Sequence, residues 1–441
     1  MSRGRKTAIA VVVWLVLFEG AAWVADAAWG FRYELLDGIA TAARQTQPVP
    51  ETEPDWPARA IRVRVPDRGE PRAEPYALGG RVIEDAWPDA KQEWLFPEEL
   101  ADDPRPRVFV VGGSAPLGYP YAYEDGFARR LAERLPDHRV ENVGQAGWTS
   151  GQVLGAVDRL LAHFAPDVLV VYSGNNEWIR WAPDPAARGL DLEWQRGLSH
   201  SRALAAALWL GHGLRSRAPP SGEAPPLIGW RHAHAHPDRG LDVAAWRAER
   251  ATHLRAYRDH LVAMRERARA RGVRVIFCTV PFNYRLSPSF KHRQPDAFDA
   301  DRADEVRGHL DDAAAALEAD DPAGALAAAD AAAALDDGPA LVHYLRGVAL
   351  EALERPADAE AAYARSREQM VGNLGVRLSV NRIIREVAVG EGVERLDLRR
   401  RFDAWEHARG HHFNRDLIHD DCHPTPRGHR LIAGWLADRL R

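Results

Sequence analysis

Three nearly uninterrupted apolar runs constrain this chain most: Val108–Val111 (VFVV), Val168–Tyr172 (VLVVY) and Val273–Thr279 (VRVIFCT). Strands that are apolar on both faces need cover on both faces, the situation of a parallel sheet between helix layers. Each run ends in a loop of small, proline or amide-bearing residues. These are Gly112-Gly113-Ser114-Ala115-Pro116-Leu117-Gly118, Ser173-Gly174-Asn175-Asn176-Glu177 and Val280-Pro281-Phe282-Asn283. Helical apolar spacing follows at Tyr123–Leu135, Gln152–Phe164, Ser201–Arg217, Asp242–Arg271 and Arg427–Leu440, with shorter strands expected at Arg139–Val143 and Val393–Leu398. The alternation predicts an α/β fold, an open parallel sheet flanked by helices, with every strand C-terminus on one edge, where ligands bind.

With 441 residues, the chain is long enough for a substantial core without cross-links. Its two cysteines, Cys278 and Cys422, exclude a disulfide framework or a cysteine-rich zinc module, and Cys278 reads as a core thiol. The balance of 58 Lys and Arg against 63 Asp and Glu leaves a net charge of −5, with no basic excess for nucleic acid. His232, His234 and His236 alternate without evident ligand partners and read as a solvated loop. No cofactor and no metal are expected.

Residues 1–30 read as a signal-anchor or signal peptide. Arg3, Arg5 and Lys6 precede the uncharged run Ala8–Phe18, and reading through Glu19 to Ala25 approaches the roughly 20 residues of a membrane helix. We expect an uncleaved N-terminal membrane helix; cleavage near Ala25-Asp26-Ala27 is the alternative. Both place the rest of the chain outside the cytoplasm, in the periplasm or beyond the cell. Residues 31–107 form a proline-rich spacer in which Ile61–Val65 alternates like an edge strand. The sheet domain is expected over 108–302 and 373–441, interrupted by an Ala-rich helical insert at 303–372. Within it Pro322-Ala323-Gly324-Ala325 and Pro356-Ala357-Asp358-Ala359 stand one tetratricopeptide period apart, with Gly347, Leu350, Ala359 and Tyr363 at small and bulky positions. Two such hairpins suit either a protein-binding surface or a strut against the sheet domain.

The strand-end loops carry the chemistry. Ser114 follows a strand and two glycines; Asn142 and Gly147 bracket the second loop; Asn176 ends the third; Asp420 and His423 lie ahead of the last helix in Asp420-Asp421-Cys422-His423-Pro424-Thr425. A serine hydroxyl needs an adjacent base to attack, an imidazole is the side chain that takes and returns a proton near neutrality, and a carboxylate fixes its tautomer. In order and position, these blocks resemble those of the SGNH (GDSL-type) hydrolases, over roughly Val108–Trp178, Gly272–Arg285 and Val393 to the end. The resemblance implies a flavodoxin-like three-layer fold and a triad of Ser114, Asp420 and His423. It also implies an oxyanion hole made by the backbone N–H groups of Ser114 and Gly147 and the side-chain amide of Asn176. Glycine at 147 suits that role, since no Cβ blocks a substrate approaching the backbone. Gly113 and Glu177 depart from the family, which has Asp at both positions. Asp421 has the wrong spacing for the triad and is expected to be a solvated or capping carboxylate.

The function expected from these residues is that of an extracytoplasmic, membrane-tethered serine esterase. It would hydrolyse acyl or acetyl esters of small molecules, carbohydrates or lipids through an acyl-enzyme. The alternatives are an O-acyltransferase that passes the acyl group to a carbohydrate hydroxyl, and an inactive scaffold that binds a protein partner through the helical repeats.

Overall fold

The computed structural model describes residues 59–65, 92–177, 243–288, 294–371 and 378–441. All belong to one compact unit, Val49–Ile179 with Glu223–Arg441. The expected N-terminal membrane helix, most of the spacer, the helix expected at Ser201–Arg217 and the alternating histidines lie outside the described residues. Among the described residues, no helix is long and apolar enough to cross a membrane.

The apolar runs form a parallel sheet. Strand β3 (Arg107–Gly112), β4 (Arg139–Asn142), β5 (Val168–Tyr172), β6 (Arg274–Cys278) and β7 (Val393–Leu396) lie in the order β4-β3-β5-β6-β7, every neighbouring pair parallel. Val108 faces Val168, Val168 faces Arg274 and Val275 faces Val393 across the ladders. All five residues of β5 are buried, as the unbroken VLVVY run requires. A buried aliphatic side chain contributes about 1.5–3 kcal/mol, so this central strand anchors the domain. Counted within the sheet, the order is second, first, third, fourth, fifth, the flavodoxin-like arrangement. Its chain direction reverses at β3, and the crevice lies beyond the C-terminal ends of β3 and β5.

Helix α1 (Ser114–Leu117) is a single turn leaving β3, and α2 (Phe127–Arg134) leads to β4. Helix α3 (Ser150–His163) joins β4 to β5, and α4 (Val243–Arg269) precedes β6. Right-handed crossovers put α2 on one face and α3 and α4 on the other. Accordingly, α2 packs with the final helix α11 (Pro426–Leu440), while α3 packs with α4. Helix α3 starts two residues earlier than apolar spacing indicates, because the Thr149 backbone N–H donates to Gln152 Oε1 (3.1 Å), half of a capping box. Thr425 caps α11 by accepting from the Gly428 N–H (3.2 Å), with Pro426 at the first helical position.

The strand expected at Ile61–Val65 is β1 (Ile61–Arg64). It pairs antiparallel with β2 (Gln92–Leu95) in a separate two-stranded sheet rather than at an edge of the main one. Between β6 and β7 the chain forms four helices that pack in succession: α5 (Ala303–Glu318), α6 (Pro322–Leu335), α7 (Ala340–Ala352) and α8 (Pro356–Gln369). The two prolines of the period open α6 and α8. The Tyr363 ring lies so close to Gly347 that a Cβ there would meet it at 2.6 Å. Helix α9 (Leu378–Val387), which packs on α4, and α10 (Leu398–His407) complete the fold.

Candidate functional site

Ser114 opens α1 at the C-terminal end of β3, buried to 8% exposure. Its Oγ lies 2.7 Å from Nε2 of His423, which is 309 residues away in the chain. Nδ1 of the same ring lies 2.6 Å from Asp420 Oδ2, and Asp420 Oδ1 accepts the backbone N–H groups of Cys422 (3.1 Å) and His423 (3.0 Å). Three donors thus converge on one carboxylate. Burial alone would raise its pKa; the His423 ring and these N–H groups outweigh that and hold Asp420 far below the ordinary carboxylate range. The Tyr119 ring stands edge-on to His423 at 4.7 Å between centroids, a second restraint on the imidazole. The three side chains form a continuous relay from hydroxyl to carboxylate.

Opposite the relay, the loops after β4 and β5 meet Gly113. Asn176 Nδ2 donates to the Trp148 carbonyl (3.0 Å), which fastens the third loop to the second. A Cβ at position 113 would meet Asn176 Nδ2 at 2.7 Å, so the glycine that departs from the family pattern makes room for this amide. Gly147 has φ +74°, where a side chain would be strained. Among the described residues, the backbone N–H groups of Ser114 and Gly147 donate to no other group, and the second Asn176 amide hydrogen is likewise uncommitted. Such donors beside a nucleophile suit a developing oxyanion. Asn142, which leads into the same loops, donates to the Pro116 carbonyl (2.9 Å) and accepts from the Gly144 N–H (3.0 Å), a structural role.

Several side chains that sequence spacing did not single out support this site. Glu177, 8% exposed, accepts the Ser150 backbone N–H (3.0 Å) and hydroxyl (2.7 Å), and Ser150 Oγ also lies 2.9 Å from His260 Nδ1. Glu177 thereby ties the Asn176 loop to the first residue of α3. Burial pushes its carboxyl up to about 7 against the pull of Ser150. His429 on α11 accepts the Phe127 N–H (3.3 Å), and burial pushes it down to about 3, which leaves a neutral ring beneath the site. Arg64 of β1 donates to the carbonyls of Leu117 and Tyr121 and so braces the turn that follows Ser114.

Asp421 is the correction. Expected in solvent or at a cap, it is 3% exposed. Its backbone carbonyl accepts the Asn283 N–H (3.2 Å), and its charge opposes the lowering that burial imposes on Arg367. Arg367 comes from α8 of the insert, is 1% exposed, and lies 5.0 Å over the Phe282 ring. The physical reason is tertiary: a buried arginine of the insert, distant in sequence, lies close enough for Asp420, Asp421 and Cys422 to act on its charge. Cys278 and Cys422 are both buried and do not pair in a disulfide.

Asp420, Asp421, Cys422 and His423 bring potential ligand atoms within 4.8 Å of one another. Both His423 nitrogens already face Ser114 and Asp420, so a cation there would take the imidazole from the serine. Two further clusters, Glu360 with His407 and His412, and Glu406 with His411 and Asp416, lie on α8, on the end of α10 and on the segment after it.

No protein-family model and no curated protein matches this chain. Among solved structures it is similar to an acetyl xylan esterase, AlAXEase, at 12% identity and TM-score 0.34, over 76% of this chain and 100% of that one. It is similar to a GDSL-like lipase from Bacteroides thetaiotaomicron at 12% identity and TM-score 0.32, over 76% of this chain and 89% of that one. A putative lipolytic protein of the G-D-S-L family from Desulfitobacterium hafniense gives 12% identity and TM-score 0.31, over 75% and 98%. At these TM-scores the likeness adds nothing beyond the sheet order and the site geometry already described.

Proposed function

We propose that this chain is an SGNH-type serine ester hydrolase acting through an acyl-enzyme on acyl or acetyl esters. The observation that carries the reading is the relay of 2.7 Å from Ser114 Oγ to His423 Nε2 and 2.6 Å from His423 Nδ1 to Asp420 Oδ2. In this reading Ser114 Oγ attacks the ester carbonyl while Nε2 takes its proton, and Asp420 keeps the proton on Nδ1 and offsets the imidazolium charge. The N–H groups of Ser114 and Gly147 and the Asn176 amide receive the oxyanion. His423 then protonates the departing alcohol, and water, activated by the same ring, releases the acid. Residues 1–30, as a membrane anchor, would hold this domain outside the cytoplasm, facing esters of carbohydrates or lipids.

The test is labelling of the full chain with a fluorophosphonate probe beside hydrolysis of short-chain nitrophenyl esters. Wild type is expected to label and to turn over, and Ser114→Ala to do neither. Equal labelling and turnover by Ser114→Ala would refute the reading. Product analysis with an added carbohydrate acceptor separates hydrolysis from acyl transfer.

A further inference from the structure

Helix α10 ends in a buried carboxylate, that of Glu406. Glu406 is 1% exposed, and among the described residues neither of its carboxylate oxygens has a hydrogen-bond partner. The Asp416 backbone N–H lies on its side and favours the ionised carboxylate. A buried charge without a partner is costly, and native proteins satisfy such groups by pairing or by metal coordination. Two further ligand-type side chains stand beside it. His411 Nδ1 and Asp416 Oδ2 lie 3.0 Å apart, and one donor atom from each of the three residues falls within a 4.8 Å sphere of mutual distance. The His411 N–H donates to the Glu406 carbonyl (3.0 Å), which keeps the two residues adjacent.

We propose that Glu406, His411 and Asp416 bind one divalent transition-metal ion of the Zn²⁺ class, as a structural site. A tetrahedral Zn²⁺ with bonds of about 2.0–2.2 Å holds its donors roughly 3.3 Å apart. The His411–Asp416 pair is already near that spacing, and Glu406 needs to close by about 1.5 Å at most. An imidazole beside two carboxylates selects Zn²⁺ over Ca²⁺ or Mg²⁺, which prefer all-oxygen sets. His411 and Asp416 are half-exposed, so the ion has a path in and room for a water ligand. Arg427 lies 4.0 Å from Asp416, and His407 also acts on Glu406. The Asp416 carbonyl accepts the Thr425 hydroxyl (2.8 Å). The ion therefore fastens the end of α10 to both flanks of the loop that bears Asp420 and His423, without using either of them.

The experiment uses the full chain, stripped with a chelator and titrated with Zn²⁺ against a competing fluorescent chelator, with thermal midpoints recorded alongside. One Zn²⁺ per chain and a raised midpoint are expected for wild type. Glu406→Gln, His411→Ala and Asp416→Asn should each weaken binding at least tenfold and remove the rise, while Glu360→Gln, in the neighbouring trio, should change neither. Should Glu406→Gln fail to fold, the two half-exposed positions carry the test. Wild-type affinity in His411→Ala and Asp416→Asn overturns the site, as does loss of binding in Glu360→Gln alone or tighter binding of Ca²⁺ than Zn²⁺.

Discussion

Glu177→Gln should abolish most of a pH dependence of stability that the buried carboxyl imposes. In the folded chain, burial pushes Glu177 from an ordinary value of 4.5 up to about 7, against the lowering pull of the Ser150 hydroxyl and N–H. Below pH 4.5 the carboxyl is protonated in both folded and unfolded chains, and it contributes no slope. As pH rises, the unfolded chain ionises first while the folded chain keeps its proton, so stability falls until the folded group itself ionises near pH 7. At 1.36 kcal/mol per pH unit, the loss across that window is about 3 kcal/mol. Glutamine keeps an oxygen for the Ser150 N–H and does not titrate. Urea unfolding of wild type and Glu177→Gln at pH 4.5, 6 and 8 measures the difference. The variant should gain about 3 kcal/mol on wild type between the lowest and highest pH. A gap that stays within about 1 kcal/mol at all three would show that Glu177 ionises normally and that its burial governs nothing.

Asn176→Ala should lower kcat for nitrophenyl esters by about 10²–10³, or about 2.7–4 kcal/mol, with little change in KM, because the lost donor acts on the transition state. A drop in affinity alone would place the amide in substrate binding instead. Arg367→Met should destabilise the chain by about 1–3 kcal/mol, since it removes a buried positive charge that Asp421 and Asp420 favour, and adding Asp421→Asn should recover part of the loss in a denaturant titration.

Much of the fold follows from local pattern. β3, β5 and β6 announced themselves because a strand covered on both faces has no room for polar residues, and their loops fell at one sheet edge because a parallel sheet permits nothing else. The convergence of Ser114 with His423 and Asp420 was legible only through the order of the four sequence blocks, not through spacing. Other features depend on contacts that no local pattern encodes. Glu177 looked like a deviation from the family, yet its partner is Ser150, 27 residues earlier, and the longer side chain spans from the Asn176 loop to α3. Asp421 looked solvent-facing because nothing in its neighbourhood foretold a buried arginine of the insert close to it. Helix α3 was misjudged at its start for a different reason. The Thr149-x-x-Gln152 capping signal was present in the sequence, but apolar periodicity does not register polar caps.

The two halves of the site are built on different foundations. Ser114 and Asn176 leave adjacent strands, β3 and β5, whose ladder runs from Val108–Val168 to Gly112–Tyr172, and Gly113, Trp148 and Asn176 touch directly. The Ser114 hydroxyl and the Asn176 amide therefore share the rigidity of the buried sheet. Asp420 and His423 sit instead on a loop held by the Thr425 cap and the Asn283 N–H, with the charge of Arg367 from α8 nearby. The insert thus reaches the surroundings of Asp420 and His423 through the charge of Arg367 and not those of Ser114. A change in how α8 packs would alter the 2.7 Å contact between Ser114 and His423 while leaving Asn176 in place. In this fold that makes the insert, through Arg367, the element best placed to influence the base.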